Sequence, residues 1–145
     1  NGSWFAMGEP NAGGGMIAIQ KQLSVFLDNR PGTLARMCQA LAKEGINILC
    51  LSISDTVDHA AVRMVVSDAK KTGALLKSLC GTVQERDVIF MNVPNKAGTL
   101  AKIAEQLAAA GINIEYAYCT GSASEENGNM VLRTNDLEAT IDALS

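Results

Sequence analysis

Two short loops carry the side chains of this chain best suited to chemistry. The first is Asn29-Arg30-Pro31-Gly32-Thr33-Leu34 and the second Asn95-Lys96-Ala97-Gly98-Thr99-Leu100. Each is answered further on by a Gly-Ile-Asn-Ile tetrad, at 45–48 and at 111–114. The pairs Asn29/Asn95, Gly32/Gly98, Leu34/Leu100, Gly45/Gly111 and Asn47/Asn113 keep one constant offset of 66 residues, so one unit is used twice. The chemistry these residues suit is recognition. A loop entering a helix presents backbone N–H groups with no partner in the helix, and Gly32 or Gly98 lets a guest approach them without a side chain in the way. A carboxylate is the natural guest. The Asn side chains of loop and tetrad each offer an acceptor and a donor, which suits the ammonium and carboxylate of an amino-acid head. With Ile48 and Ile114 beside Asn47 and Asn113, these two loops form the candidate ligand-binding set. The same residues also serve as turn formers and helix stops, and spacing alone leaves both roles open.

The residues expected of an enzyme are missing. The single histidine, His59, lies beside Asp58 in a turn, with no second histidine and no nucleophile motif, so the chain is read as non-catalytic. Asp55, Asp58 and His59, or Glu125 and Glu126, read as solvated hairpin residues and not as a metal site; no metal and no cofactor is expected. Cys38, Cys50, Cys80 and Cys119 form no Cys-x-x-Cys pair and read as small buried thiols in a reducing compartment.

Composition sets the frame around these motifs. A chain of 145 residues with 48% hydrophobic and 19% charged residues belongs to the globular class, and a net charge of −3 without a basic cluster argues against nucleic acid. No apolar run is long enough for a membrane span and no signal peptide is visible, so a cytoplasmic location is expected. Residues 1–15 are rich in Gly, Asn and Ser and read as a tag or linker, with Met16 as the natural start and Trp4 and Phe5 as the residues able to dock on an apolar surface.

The elements that must position the loops follow from periodicity. Gln22 to Leu27 alternates as a strand, and Leu34, Met37, Cys38 and Leu41 stripe a helix that Gly45 ends. Strands from Ile46 to Ser54 and from Ala61 to Val66 follow, then a helix capped by Ser67 or Asp68 and a short strand from Thr82 to Glu85. The second unit repeats the order. Val88 to Val93 is a strand, Leu100, Ile103, Ala104 and Leu107 stripe a helix, and strands from Ile112 to Thr120 and Met130 to Arg133 flank a longer hairpin loop. Asn135 with Glu138 then predicts a capping box on the last helix.

Strand, helix, strand, strand, helix, strand is the ferredoxin-like split βαβ order, since a right-handed crossover makes the first two strands parallel and the third slots between them. The predicted class is α+β, with two βαββαβ units at 16–86 and 87–145, the second C-terminally incomplete and lacking its last strand. An N-terminal tail or another chain would fill that place. Apolar residues on both faces of the second strand, Leu49, Leu51 and Ile53 against Ile48 and Cys50, together with Tyr116 and Tyr118, predict a homodimer formed face to face or edge to edge. The third strand, Ala-Val-Arg-Met-Val-Val, lacks the aromatics an RNA-binding sheet uses.

The stretch Leu27 to Leu34 with Gly45 to Ile48 resembles an ACT domain, most closely that of acetohydroxyacid synthase regulatory subunits, and Val93 to Leu100 with Gly111 to Ile114 resembles a second. The resemblance implies a ferredoxin-like fold, amino-acid binding where ACT units meet, and ligand contacts from Asn29, Gly32 and Asn47 and from Asn95, Gly98 and Asn113. The function it implies is that of a regulatory protein which binds a small amino acid, partners an amino-acid metabolic enzyme and signals through subunit association, the ligand bridging one unit's loop to a neighbouring unit's second strand. The alternative is a ligand-independent interaction module.

Overall fold

The computed structural model describes residues 9–10, 16–55, 57–121 and 124–145. The described residues divide into two compact units, one within 21–86 and the other within 87–145 together with residues 9–10 and 16–20. The sequence reading of residues 1–15 lies outside the description except at Glu9–Pro10 (β1), which pairs antiparallel with Met16 and Ile17.

The first unit holds the second part of β2 (Met16–Asp28), α1 (Thr33–Lys43), β3 (Ile48–Asp55), β4 (His59–Val66), α2 (Ala69–Cys80) and the beginning of β5 (Gln84–Pro94). Its strand order is β3-β4-β2-β5, with β4 antiparallel to both β3 and β2. Leu23, Val25 and Leu27 alternate onto the helix side, where they meet Met37 and Leu41 of α1, Leu76 of α2 and Val62, Met64 and Val66 of β4. The predicted stripe of α1 is therefore its core face. Asp68 caps α2, its carboxylate accepting from the Lys71 backbone N–H at 3.0 Å.

The second unit holds the rest of β5, α3 (Thr99–Ala109), β6 (Ile114–Thr120), β7 (Asn127–Thr134) and α4 (Leu137–Leu144), with β7 antiparallel to β5 and β6. Its core gathers Ile89, Met91, Val93, Ile103, Leu107, Met130, Leu132 and Leu144. In its last helix the capping residue is Asp136, which accepts from the Ala139 N–H at 3.0 Å, and not the expected Asn135. Asn135 is drawn away because its side chain accepts the Asn113 N–H at 3.1 Å.

Two strands differ in length from their sequence reading. No Gly or Pro interrupts Met16 to Asp28 or Gln84 to Val93, so each runs on as one long strand. Of the separate strands expected at 82–85 and 88–93, residues 84–85 and 88–93 belong to one strand, β5, while Thr82 and Val83 precede it. The start of β2 explains what stands in the place of the second unit's last strand. Ile17 is 1% exposed and belongs to the core formed by Ile89, Met91 and Leu144, and residues up to Gln20 belong to this unit. The second unit thus reads β6-β7-β5-β2 across its sheet, the same 2-3-1-4 arrangement as the first, while its own C-terminal end is a helix.

Candidate ligand-binding loops

The two loops have the conformation their glycines allow. Gly32 has φ 91° and Gly98 φ 89°, the left-handed region in which a side chain would be strained, and each begins its helix without a side-chain cap. In α3 the Thr99 N–H donates to the Lys96 carbonyl at 3.4 Å, and the remaining first-turn N–H groups of α1 and α3 are left for solvent or a guest.

Beyond this the loops differ. In the first, the Thr33 hydroxyl donates to the carbonyls of Asp28 (2.8 Å) and Arg30 (3.0 Å), and the Arg30 guanidinium lies 3.4 Å from the Asp28 carboxylate. Pro31 is exposed at the turn, Leu34 packs on the core, and the Asn29 backbone N–H donates to the Asp58 carbonyl at 3.2 Å. In the second, Asn95 is spent on the hairpin loop. Its N–H donates to the Glu126 carbonyl at 2.8 Å and its side-chain amide to the Glu125 carbonyl at 3.1 Å. The Thr99 Oγ1 is buried without a hydrogen-bond partner among the described residues. Leu100, the counterpart of Leu34, is 55% exposed.

Cavities adjoin both loops. One of about 300 Å³ lies in the first unit against Asp28, Arg30, Thr33, Arg36, Met37 and Leu79. Its counterpart in the second unit is about 460 Å³, against Val93, Lys96, Thr99, Lys102, Ile103 and Leu144. A further cavity of about 390 Å³ lies on the other side of the second loop, against Asn95, Lys96, Thr99, Leu100, Thr120 and Asn129. Ala97 and Gly98 line the larger of these and are exposed.

Asn47 and Asn113 do not join their own loops. Asp28, before the first loop, pairs with His59 at one end of β4, whereas Ile48 pairs with Val66 at the other. The separation along the strand is about 23 Å at ~3.3 Å per residue. Pro94 and Ile114 are likewise at opposite ends of β7, opposite Asn127 and Thr134. The expectation that the second strand begins near the loop fails within each unit, because a crossover that makes two strands parallel returns the chain to the far end of the sheet. There Asn47 exchanges bonds with Ser67, its N–H donating to the Ser67 hydroxyl at 3.0 Å and its carbonyl accepting the Ser67 N–H at 2.9 Å. Ile48 and Ile114 pack on the two cores.

Sequence reasoning missed Lys102, Ile103, Gln106 and Leu144 as cavity walls. Arg36 and Lys102 stand 66 residues apart, so the offset already contained a signal for a paired cation. Among the described residues no three His, Cys, Asp or Glu side chains gather as a metal site, and no helix is long and apolar enough to cross a membrane.

Comparison with known proteins agrees with this architecture. The structure of a protein from Bacteroides thetaiotaomicron is 35% identical, with a TM-score of 0.78 over 88% of this chain and 87% of that one. The ligand-free regulatory subunit of aspartate kinase from Thermus thermophilus is 20% identical, with a TM-score of 0.66 over 93% of this chain and 96% of that one. A structure of aspartokinase alpha and beta subunits is 22% identical, with a TM-score of 0.62 over 88% and 93%. The last two share the fold. No curated protein matches the chain significantly. The profile of the ACT domain pair matches residues 17–144, nearly the whole chain, and the protein belongs to the ACT domain pair family.

Proposed function

We propose that this protein is a non-catalytic, cytoplasmic regulator that binds a small amino acid and signals through the association of its copies. The observation that carries the reading is the separation of each loop from its own unit's second-strand Asn, at opposite ends of the sheet. A ligand whose head is held by a loop and by such an Asn must take the two from different units. We assign the second unit to another copy of the chain. Binding then favours the assembled state, because only that state satisfies both ends of the ligand. In this scheme Gly32 and Gly98 admit the carboxylate to the helix N-terminus, Asn29 and Asn95 stand at the loop, and Asn47 and Asn113 present their side chains from the partner. The structures named as a regulatory subunit of aspartate kinase and as aspartokinase alpha and beta subunits support an enzyme of amino-acid metabolism as the regulated partner.

The test is a thermal-shift screen of the twenty amino acids with light scattering on the same samples. A ligand at one hundred times its dissociation constant stabilises the folded state by about 2.7 kcal/mol, several degrees for a domain of this size. A selective shift with a rise in mass, lost in Asn47→Ala or Asn113→Ala, is the expected result. No shift with any amino acid from a folded sample overturns it. A second reading, an interaction module that needs no ligand, is favoured by β6, which ends its sheet and leaves Ala117 and Cys119 exposed. A constant dimer with and without amino acids supports that reading.

A further inference from the structure

The two units carry the same cleft with opposite electrostatic outcomes. Positions 30 and 96, 33 and 99, 36 and 102 and 37 and 103 stand at the same offset and line the same place in each unit. In the first unit the cleft contains its own carboxylate, Asp28, 3.4 Å from the Arg30 guanidinium, and the Thr33 hydroxyl donates to carbonyls of its own loop. In the second unit the residue corresponding to Asp28 is Pro94. Lys96 and Lys102 have no ion-pair partner among the described residues, and the Thr99 hydroxyl oxygen has no hydrogen-bond partner. Among the described residues no Asp or Glu lines this cavity. Its inner wall is apolar, made by Met91, Val93, Ile103 and Leu144. A volume of about 460 Å³ lies within the range of small-molecule sites, ~300–1,000 Å³.

From this contrast we infer that the second unit binds a small monocarboxylate with an apolar tail and no ammonium group, such as a simple branched acid or its 2-oxo derivative. The carboxylate lies between Lys96 and Lys102 within reach of the Thr99 hydroxyl, and the tail lies against Ile103 and Leu144. An amino acid is disfavoured at this site because its ammonium meets two lysines and no carboxylate. The first unit does not bind the acid, since Asp28 already occupies the cationic side of its cleft. This site shares its loop with the amino-acid site proposed above, since Lys96, Gly98 and Thr99 line one cavity, but it needs no Asn from a partner, and it holds whether or not amino acids bind. It makes the protein responsive to the deaminated form of a metabolite as well as to the amino form.

Titration calorimetry of the full chain tests this with four probes: 4-methylpentanoate, 4-methyl-2-oxopentanoate, leucine and 3-methylbutan-1-amine. Both acids are expected to bind with one site per chain, more weakly as salt is raised, with the amine silent and leucine at least tenfold weaker than the acids at this site. Exposed charge pairs are worth little, so Lys96→Met and Lys102→Met each weaken the acids by only about two- to fivefold. Gln106→Trp, on the half-exposed rim, fills the cavity and abolishes binding without touching the core. Arg36→Met in the first unit leaves it unchanged. Asn47→Ala and Asn113→Ala, which abolish the amino-acid response in the reading above, also leave acid binding intact, so the two proposals fail separately. Silence of both acids, equal affinity for the amine, or an equal loss in Arg36→Met overturns the assignment.

Discussion

Asn113 and Asn135 hold each other by two hydrogen bonds. The Asn113 N–H donates to the Asn135 side-chain oxygen at 3.1 Å, and the Asn135 N–H donates to the Asn113 carbonyl at 3.4 Å. The clasp ties the start of β6 to the end of β7, as Asn47 and Ser67 tie β3 to β4 in the first unit. The tetrad Asn thus serves the fold through its backbone, and among the described residues these bonds do not use its side chain.

Removing this clasp is expected to weaken the second unit measurably. Asn135→Ala loses one side-chain acceptor and costs about 1 kcal/mol, the usual net value of a hydrogen bond. Asp136→Ala removes the helix cap and costs roughly 0.5–2 kcal/mol. Urea denaturation followed by circular dichroism checks both. An unchanged midpoint for Asp136→Ala contradicts its assignment as the cap.

The assignment of the start of β2 to the second unit has a direct test at Ile17. Its side chain is fully buried with Ile89, Met91 and Leu144, so Ile17→Ala is expected to cost about 2–5 kcal/mol. The loss falls on the second unit. Hydrogen exchange is expected to rise in 87–145 before it rises in 21–86, and the reverse order contradicts the packing.

Gly128 is held by close approach of backbone. A Cβ placed there would lie 2.7 Å from the Thr120 carbonyl oxygen, across the β6–β7 hairpin. Gly128→Ala forces the strands apart and is expected to cost roughly 1–3 kcal/mol, as overpacking does. Gly121→Ala meets its nearest neighbour at 3.5 Å and is expected to be far milder. Melting temperatures of the two variants decide the comparison.

The cysteines are expected to separate by accessibility and pH. Cys119 is exposed and Cys50 buried, so iodoacetamide modifies Cys119 first and Cys50 only on unfolding. Burial pushes the Cys80 thiol above its ordinary value of 9.0. The folded state therefore holds the Cys80 proton more tightly than the unfolded state. Its contribution to stability is present below pH 9.0 and is lost as pH rises through the higher folded value. Cys80→Ser is expected to flatten that alkaline decline, measured by urea denaturation between neutral and alkaline pH.

Local signals in the sequence determined the repeat, the order of its elements and the two glycine turns. The 66-residue offset, the stripes at Met37 and Leu41 and at Ile103 and Leu107, and the breaker glycines are all read within a few residues of where they act. Gly32, Gly45, Gly98 and Gly111 accordingly all have positive φ. Only the tertiary structure decided which strand completes the second unit and which loop residues remain available. Strand pairing is a contact between distant positions, and an alternating run such as Met16–Asp28 carries no local mark of the core each half enters. The same holds for the site. Asn29 and Asn95 are identical in the sequence, yet the Asn95 amide is spent on the Glu125 carbonyl, while Thr33 is satisfied by its own loop and Thr99 is not. Which polar atoms of a repeated motif remain unpaired depends on the neighbours that folding brings to them.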